Sequence, residues 1–213
     1  MRLSRTILLS MSLLVGLAAS APAQDRFEIF GAYSYLHFSP TITGVNSRSF
    51  NGGGGAATLY FLKIFGVKAD FMGYGSTTFS RTFNTPVIIP GNGIIPAGTY
   101  SAQGNMFTYL FGPVLRIPTP LIKPFGEVLF GGSNTNGYVN LSNAINQGGG
   151  TIATPNQHPF TLAAGGGVDL SVSHRVAIRL GEFDYVLTRY TNPLTSTNNQ
   201  NNFRYCGGVI FKF

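Results

Sequence analysis

The residues of this 213-residue chain that can carry chemistry are few, because only 10% of its residues are charged. Glu182 and Asp184 stand two positions apart, a spacing that places paired carboxylates on one side of a strand, where they can do general acid–base work. The same spacing suits a network of structural ion pairs, which also brings charges together. We interpret the two carboxylates as members of such a network and predict no catalytic residues.

Two further residue patterns, the glycine runs and the histidines, lack the spacing of known ligand sites. The chain has three glycine runs, at 52–55, 148–150 and 165–167. None is followed by the Lys-Ser/Thr pair of a phosphate-binding loop, so we expect glycines that permit strand twist and close packing. His37, His158 and His174 are scattered and show no metal-ligand spacing. The sequence therefore predicts no cofactor and no metal site.

The N-terminus predicts export. Arg2 and Arg5 precede an apolar run from Ile7 to about Ala19, and Ala21-Pro22-Ala23 forms a small-residue cleavage site. The alternative, a membrane-anchoring helix, is disfavoured because the run is shorter than the roughly 20 residues that a bilayer needs. We predict a signal peptide at 1–23 and one mature domain at 24–213.

The mature composition excludes several classes of protein. Without the two leader arginines, twelve cations and seven acids give a net charge of +5, and the cations do not cluster as in a nucleic-acid binder. Cys206 is the only cysteine, so an internal disulfide framework is impossible although an exported protein would permit one.

The elements that must position these residues are strands. Segments of about ten residues, rich in glycine and aromatic residues, alternate with period two, and no stretch shows a convincing helical period. The predicted strands are 26–38, 52–62, 66–80, 104–116, 123–132, 159–171, 175–189 and 202–213. We predict an all-β fold.

The connections between these strands alternate strictly between long and short. In an up-and-down antiparallel sheet, all long loops then lie at one end and all tight turns at the other, and eight strands bring both termini to the tight-turn end. Short periplasmic turns and long extracellular loops are the layout of outer-membrane barrels. The sequence therefore predicts an eight-stranded antiparallel up-and-down transmembrane β-barrel.

The two faces of the strands support this layout. In the first strand Phe27, Ile29 and Tyr33 alternate with a set that contains Glu28, and in the third Phe71 opposes Asp70. A barrel in lipid needs apolar residues outside and tolerates polar ones inside, whereas a soluble ligand-binding barrel of lipocalin type needs the reverse. The apolar face is therefore predicted to meet lipid.

The rare charges then fall on the inner face, where we expect them to pair across neighbouring strands in a lumen just wide enough for side chains to fill. The predicted lumen charge network is Glu28, Lys68, Asp70, Arg116, Glu127, Asp169, Glu182, Asp184, Arg204 and Lys212. Arg179 lies three residues from Glu182 and shares its face only if a bulge occurs near Gly181. We predict a plugged barrel.

The chain resembles the small eight-stranded outer-membrane barrels of the OmpA/OmpX type, as a stand-alone barrel domain. The matching stretches include "FEIFGAYSYL" (27–36), "FTYLFGPVLR" (107–116) and "GGGVDLSVSHRVAIRLGEFDYVLTRY" (165–190). The resemblance implies location in the outer membrane and, in the last strand, an assembly signal read by the barrel-assembly machinery. Its residues are Tyr205, Val209, Phe211 and Phe213. The chain stops at the barrel, so a wall-binding role is not expected.

One short motif suggests an enzyme. His37 and Ser39 resemble the His-x-Ser arrangement of outer-membrane lipid A deacylases, which are also eight-stranded barrels, although Pro40 follows here where that family has Asn. A lipid A-modifying enzyme is therefore one alternative function. A narrow porin-like channel for small solutes is the other.

The long loops are where we expect function, because the barrel wall only holds them in place. They span 39–51, 81–103, 133–158 and 190–201. We predict a structural or surface-interaction protein that is not an enzyme, with outer-membrane lipid and lipopolysaccharide as partners and an extracellular partner through these loops. No nucleic-acid partner is expected.

Overall fold

The computed structural model describes residues 26–39, 47–89, 93–152, 158–189 and 199–213. The predicted signal peptide, 1–23, lies outside them. The elements in chain order are β1 (Phe27–Phe38), β2 (Arg48–Tyr60), β3 (Phe65–Phe83), β4 (Val87–Ile89), β5 (Gly93–Ile95), β6 (Gly98–Arg116), β7 (Ile122–Thr135), α1 (Gly137–Gln147), β8 (Phe160–Ser171), β9 (Val176–Arg189) and β10 (Asn199–Lys212).

Eight of the strands close into a barrel in the order β1-β10-β9-β8-β7-β6-β3-β2, and every neighbouring pair is antiparallel. The seam pairs the first strand with the last, from Glu28 opposite Lys212 to His37 opposite Phe203. It continues past the ladder, because Phe213 N donates to Phe27 O at 2.8 Å. The predicted eight-stranded antiparallel barrel is confirmed, and closure leaves its described strands without a free edge.

Alternation of side chains along each strand separates the inside of the barrel from the outside. In β6, Phe107, Phe111 and Leu115 point outward and are about half exposed, while Leu110 and Val114 are buried in the interior. The same pattern repeats around the barrel and produces a continuous belt of exposed apolar side chains. Such a belt is the surface that a barrel presents to lipid.

A bulge in β9 alters this alternation at one point. Val168 of β8 pairs with Gly181, but the next residue, Asp169, pairs with Arg179, so β9 contains one residue more than its partner. The extra residue shifts the parity, and Arg179 and Glu182 both point into the barrel although three positions separate them. The bulge near Gly181 that Arg179 needs in order to share the face of Glu182 is therefore present.

The β3 and β6 strands continue beyond the barrel as a two-stranded ribbon. A second bulge, on β3 between Tyr74 and Thr77, marks the point where β2 and β7 stop pairing with them. The ribbon then runs from Thr77 opposite Gly104 to Phe83 opposite Gly98. It carries the chain into the space at the long-loop end.

The long loops contain a helix that was not predicted and a small hairpin. Residues 137–147 form the helix α1, and β4 and β5 form a small hairpin within the loop between β3 and β6. The all-β fold class is confirmed, and α1 is a short helical addition to it, with Leu141 and Ile145 buried against the ribbon. None of the helices in the described part of the chain has the length and apolar character needed to cross a membrane.

Candidate functional site

The centre of the lumen holds a compact group of four acids and three cations. Its members are Lys68, Asp70, Glu127, Arg179, Glu182, Asp184 and Arg204. Lys68 Nζ lies 2.9 Å from Glu127 Oε1 and 2.8 Å from Glu182 Oε2. All seven are almost completely buried, so each charge depends on its neighbours rather than on water. We call this group the central ionic layer.

Arg204 is the cation with the most carboxylate partners in this layer. Its guanidinium lies 2.7 Å from Asp70, 2.8 Å from Asp184 and 3.3 Å from Glu182. These acids belong to β3 and β9, and only β9 adjoins the strand of Arg204. The fork of a guanidinium can bind several carboxylates at once, so one side chain ties opposite walls of the barrel together.

The sequence predicted pairing across neighbouring strands, and this is wrong for most of the contacts. Lys68 of β3 meets Glu127 of β7 and Glu182 of β9, and β6 lies between the first two of these strands. The interior of an eight-stranded barrel is narrow enough for long side chains to reach the far wall. The charges therefore span the lumen instead of lining it.

A second ionic level lies nearer the tight-turn end. Arg116 donates to Glu28, and its guanidinium carbon lies 3.8 Å from the centre of the Tyr60 ring. Arg179 Nε donates to Asp169 at 2.7 Å, and its NH1 group donates to Glu182 in the central ionic layer. Arg179, which the sequence placed only conditionally, is thus the link between the two levels.

Lys212 is the predicted lumen residue that pairs with no acid among the described residues. The strand register places it opposite Glu28, yet its ammonium donates to Ser171 Oγ at 3.0 Å. Lys212 therefore points into the lumen as predicted. The prediction that it pairs with a lumen acid is wrong. Glu28 is instead bound by Arg116 from across the barrel.

The layer resembles a metal site in one respect, because one carboxylate oxygen each of Glu127, Glu182 and Asp184 lies within 4.8 Å of the others. Three clustered carboxylates can bind a divalent cation. Here, however, the Lys68 ammonium and the Arg204 guanidinium already contact them and supply the positive charge. The arrangement is that of an ion-pair network.

Above the central ionic layer, toward the long loops, the lumen is filled by aromatic side chains. Phe38 packs edge-on against Phe50 with ring centres 5.7 Å apart, and Phe50 lies 6.5 Å from Tyr74. Tyr138 of α1 enters this group from above, 6.3 Å from Phe38, and accepts a hydrogen bond from Gln200. Helix α1 therefore closes the mouth of the barrel with an aromatic side chain that the sequence prediction missed.

The long-loop end carries a small folded unit of its own. The ribbon of β3 and β6, the β4–β5 hairpin and α1 share an apolar cluster that includes Phe83, Ile95, Tyr100, Leu141 and Ile145. Asn140 Nδ2 also donates to Gln103 O at 2.7 Å, which fastens the helix to the ribbon. We call this unit the loop cap.

The predicted assembly-signal residues lie on the outer face of β10. Val209, Phe211 and Phe213 are exposed, and Tyr205 on the same face donates to Leu180 O at 3.1 Å. The side chain of Cys206 lies on the inner face of β10. It is completely buried, and its thiol donates to Ser34 Oγ at 3.2 Å, as a small lumen residue.

His37 and Ser39 make no hydrogen bond to each other in the described structure. Residue 37 is the penultimate position of β1 and residue 39 follows the strand. Ser39 N donates to Asn202 Oδ1 at 3.0 Å, and the Ser39 hydroxyl lies 3.5 Å from that of Ser47. Among the described residues, no hydrogen bond joins His37 to Ser39.

Comparison with known proteins supports the fold. No protein-family model matches the sequence, and no curated protein is significantly similar to it. Among solved structures, Neisserial surface protein A aligns with a TM-score of 0.58 at 12% identity, covering 88% of this chain and 97% of that one. The outer-membrane protein OprG from Pseudomonas aeruginosa aligns with a TM-score of 0.52 at 15% identity, covering 88% of this chain and 95% of that one.

At such low identity the likeness concerns the fold alone. It agrees with the features that the chain itself provides, namely a closed eight-stranded antiparallel barrel, an apolar outer belt and a lumen filled by ion pairs. A closed barrel with an apolar exterior satisfies all backbone hydrogen bonds within a bilayer. The chain therefore has the fold of the small eight-stranded outer-membrane barrels, and it is an outer-membrane protein.

Proposed function

We propose that this protein is a non-conducting, non-enzymatic barrel that holds the loop cap at the cell surface as a platform for interaction. The observation that carries the proposal is the central ionic layer, in which Lys68 and Arg204 bridge the lumen and every member is buried. The aromatic layer beneath α1 is a second barrier. Two stacked layers of packed side chains oppose the passage of hydrated solutes.

The loop cap supports the interaction role. Strands β3 and β6 have 19 residues each, more than the 9 to 11 that a tilted transmembrane strand needs, so the chain builds structure beyond the bilayer. The β4–β5 hairpin in this cap exposes Val87, Ile88 and Ile94, and Ile88 is 76% exposed. Exposed apolar groups on a folded extracellular unit are typical of surfaces that bind a partner.

Conductance in a planar lipid bilayer tests the plugged lumen. We expect the purified, refolded chain to insert without steady openings, and an open porin serves as the positive control. Large, steady openings with the unaltered chain would overturn the proposal and favour the narrow-channel alternative.

The absence of enzymatic activity has its own test. We expect lipid A from cells that express the protein to keep all its acyl chains. Loss of an acyl chain in these cells, abolished by Ser39→Ala, would establish the deacylase alternative. The Ser39→Ala variant is a suitable control because Ser39 lies outside the barrel ladder and its backbone contact to Asn202 does not involve its hydroxyl.

A further inference from the structure

The tight-turn end of the barrel has an unusual surface. Its turns expose large apolar side chains where soluble turns are polar, and the most exposed include Phe61, Leu62, Ile117, Leu121 and Val172. Each of these is more than half exposed. A concentration of apolar groups of this size marks a surface that is covered by something other than water.

The exposed charged side chains described at this end all have one sign. Arg26, Lys63 and Arg175 are exposed there, whereas Glu28 and Asp169, the acids nearest to this end, are buried in the lumen. Outside the lumen, the described residues of the tight-turn end include no carboxylate side chain. Apolar groups mixed with long cations are typical of a membrane interface, where the stems lie in hydrocarbon and the charges reach the headgroups.

A cavity of about 540 Å³ opens between two of these turns. Its apolar walls include Ile64, Leu115, Ile117, Pro124 and Gly126. The two turns are joined by the hydrogen bond from Arg116 N to Ile64 O at 2.8 Å, so the walls belong to a fixed part of the fold. Leu115 also belongs to the outer apolar belt, and the cavity is therefore continuous with the surface that faces the acyl chains.

The excess of exposed cationic side chains among the described residues of this end selects among lipids. A phosphatidylethanolamine headgroup brings an ammonium that is repelled by the exposed Arg26, Lys63 and Arg175. An anionic headgroup needs only cations, and Lys63 stands beside Ile64 of the cavity wall in the same turn. We propose that the tight-turn end is a binding site for an anionic phospholipid of the periplasmic leaflet, with an acyl chain in the cavity and its phosphate near Lys63.

Native mass spectrometry of the full-length mature protein tests this site. The probe is an equimolar mixture of phosphatidylglycerol and phosphatidylethanolamine with identical acyl chains. We expect the wild-type protein to retain phosphatidylglycerol preferentially. Equal retention of the two lipids would overturn the proposal.

Two variants separate the headgroup from the acyl chain. Lys63→Gln is expected to lower the preference for phosphatidylglycerol about fivefold, the effect of removing one cation at a membrane surface. Gly126→Leu is expected to lower retention of both lipids, because its side chain enters the cavity. A Cβ at Gly126 meets only Gly165 O, at 3.6 Å, so the barrel has room for the substitution.

Arg48→Gln is the matched control, since Arg48 is an exposed cation at the opposite end of the barrel. We expect it to leave the lipid preference unchanged, and an equal loss with Arg48→Gln and Lys63→Gln would overturn the site. Folding of every variant is checked by the difference in gel mobility between boiled and unboiled samples.

The location of the turns is tested with a fluorescent probe. The chain contains no Trp, so Leu62→Trp introduces a single reporter in the turn. We expect blue-shifted emission in phosphatidylglycerol vesicles and quenching by lipids brominated on the acyl chain. Emission at the wavelength of Trp in water, without such quenching, would show that the turn is in the periplasm and would overturn the proposal. Neither measurement depends on whether the lumen conducts.

Discussion

Replacing Arg204 with Met is the most direct test of the central ionic layer. Methionine keeps much of the length of the aliphatic stem but removes the charge, so four acids remain with only Lys68 and Arg179. Asp70 and Asp184 lose their closest cationic partner, at 2.7 and 2.8 Å. Removing one member of a buried ion pair costs about 3–5 kcal/mol, because the remaining charge stays buried. We expect a loss of this size in the free energy of unfolding.

The assay is reversible urea unfolding in lipid vesicles, with the folded fraction read from gel mobility. Arg189→Gln is the matched control, because Arg189 is an exposed arginine on the outer face of β9, and we expect a change of no more than about 0.5 kcal/mol. A loss below about 1 kcal/mol for Arg204→Met would refute the reasoning. It would mean that water reaches Asp70 and Asp184, and hence that the lumen is not sealed.

A double variant distinguishes charge from packing. Arg204→Met combined with Asp184→Asn removes one cation and one acid, which restores the charge balance of the layer. We expect it to be more stable than Arg204→Met alone, since residues in one network are coupled. If the second substitution lowers stability further, the contribution of Arg204 is packing, not charge.

Three further predictions concern other parts of the barrel. Gly165→Ala is expected to destabilise the barrel by about 1–3 kcal/mol or more, because a Cβ there would lie 2.1 Å from the backbone carbonyl oxygen of Phe183. Gly31→Ala is the control, since a Cβ at Gly31 has nothing within 4 Å, and it should change stability by no more than about 0.5 kcal/mol. The Cys206 thiol should react with a maleimide only after unfolding. A Ser101→Cys control on the exposed ribbon, in a Cys206→Ser background, should react at once. Phe213→Ala should reduce the amount of barrel in the outer membrane of cells without affecting refolding of the purified chain, and normal accumulation in cells would contradict an assembly signal.

The strands were predictable because lipid and lumen impose opposite demands on alternate residues. Each of the eight predicted segments overlaps one barrel strand. The strand bounds were predicted less well beyond the barrel, where alternate residues no longer face lipid and lumen. β6 was predicted from residue 104 and begins at Gly98, because the ribbon beyond the barrel has neither a lipid face nor a lumen face to fix its pattern.

Helix α1 was missed for a different reason. Tyr138, Leu141 and Ile145 follow a helical spacing and are all buried, but the stretch is short and rich in Asn. Local propensity favours a loop there, and contacts with the ribbon and the aromatic layer stabilise the helix instead. The signals in the sequence were three correctly spaced apolar residues, with Asn136 before the helix and Gly148 after it.

The direction of the lumen charges was readable from the sequence, whereas their partners were not. Period-two alternation places Asp70 and Arg204 inside, but it does not give the distance across the barrel. That distance depends on closure, which brings β3 and β10 to opposite walls of a narrow interior. The direction of Arg179 was harder to predict, because it depends on the bulge in β9. Period-two alternation shows that a bulge is needed for Arg179 to point inward, but it does not show that the bulge exists.

The distribution of charge connects the lumen with the two ends of the barrel. Six of the seven acids of the chain lie in the lumen, and the seventh, Asp25, is outside the described residues. The acids are thus placed where five buried cations need them, and the exterior strands and described loops carry cations alone. Bilayer surfaces present phosphates, so an acid on either rim would be repelled, and an acid on the belt would be costly to bury. The positive balance, which identified no partner from composition, follows from this separation: six acids and five cations nearly cancel in the lumen, and the other described cations lie outside it.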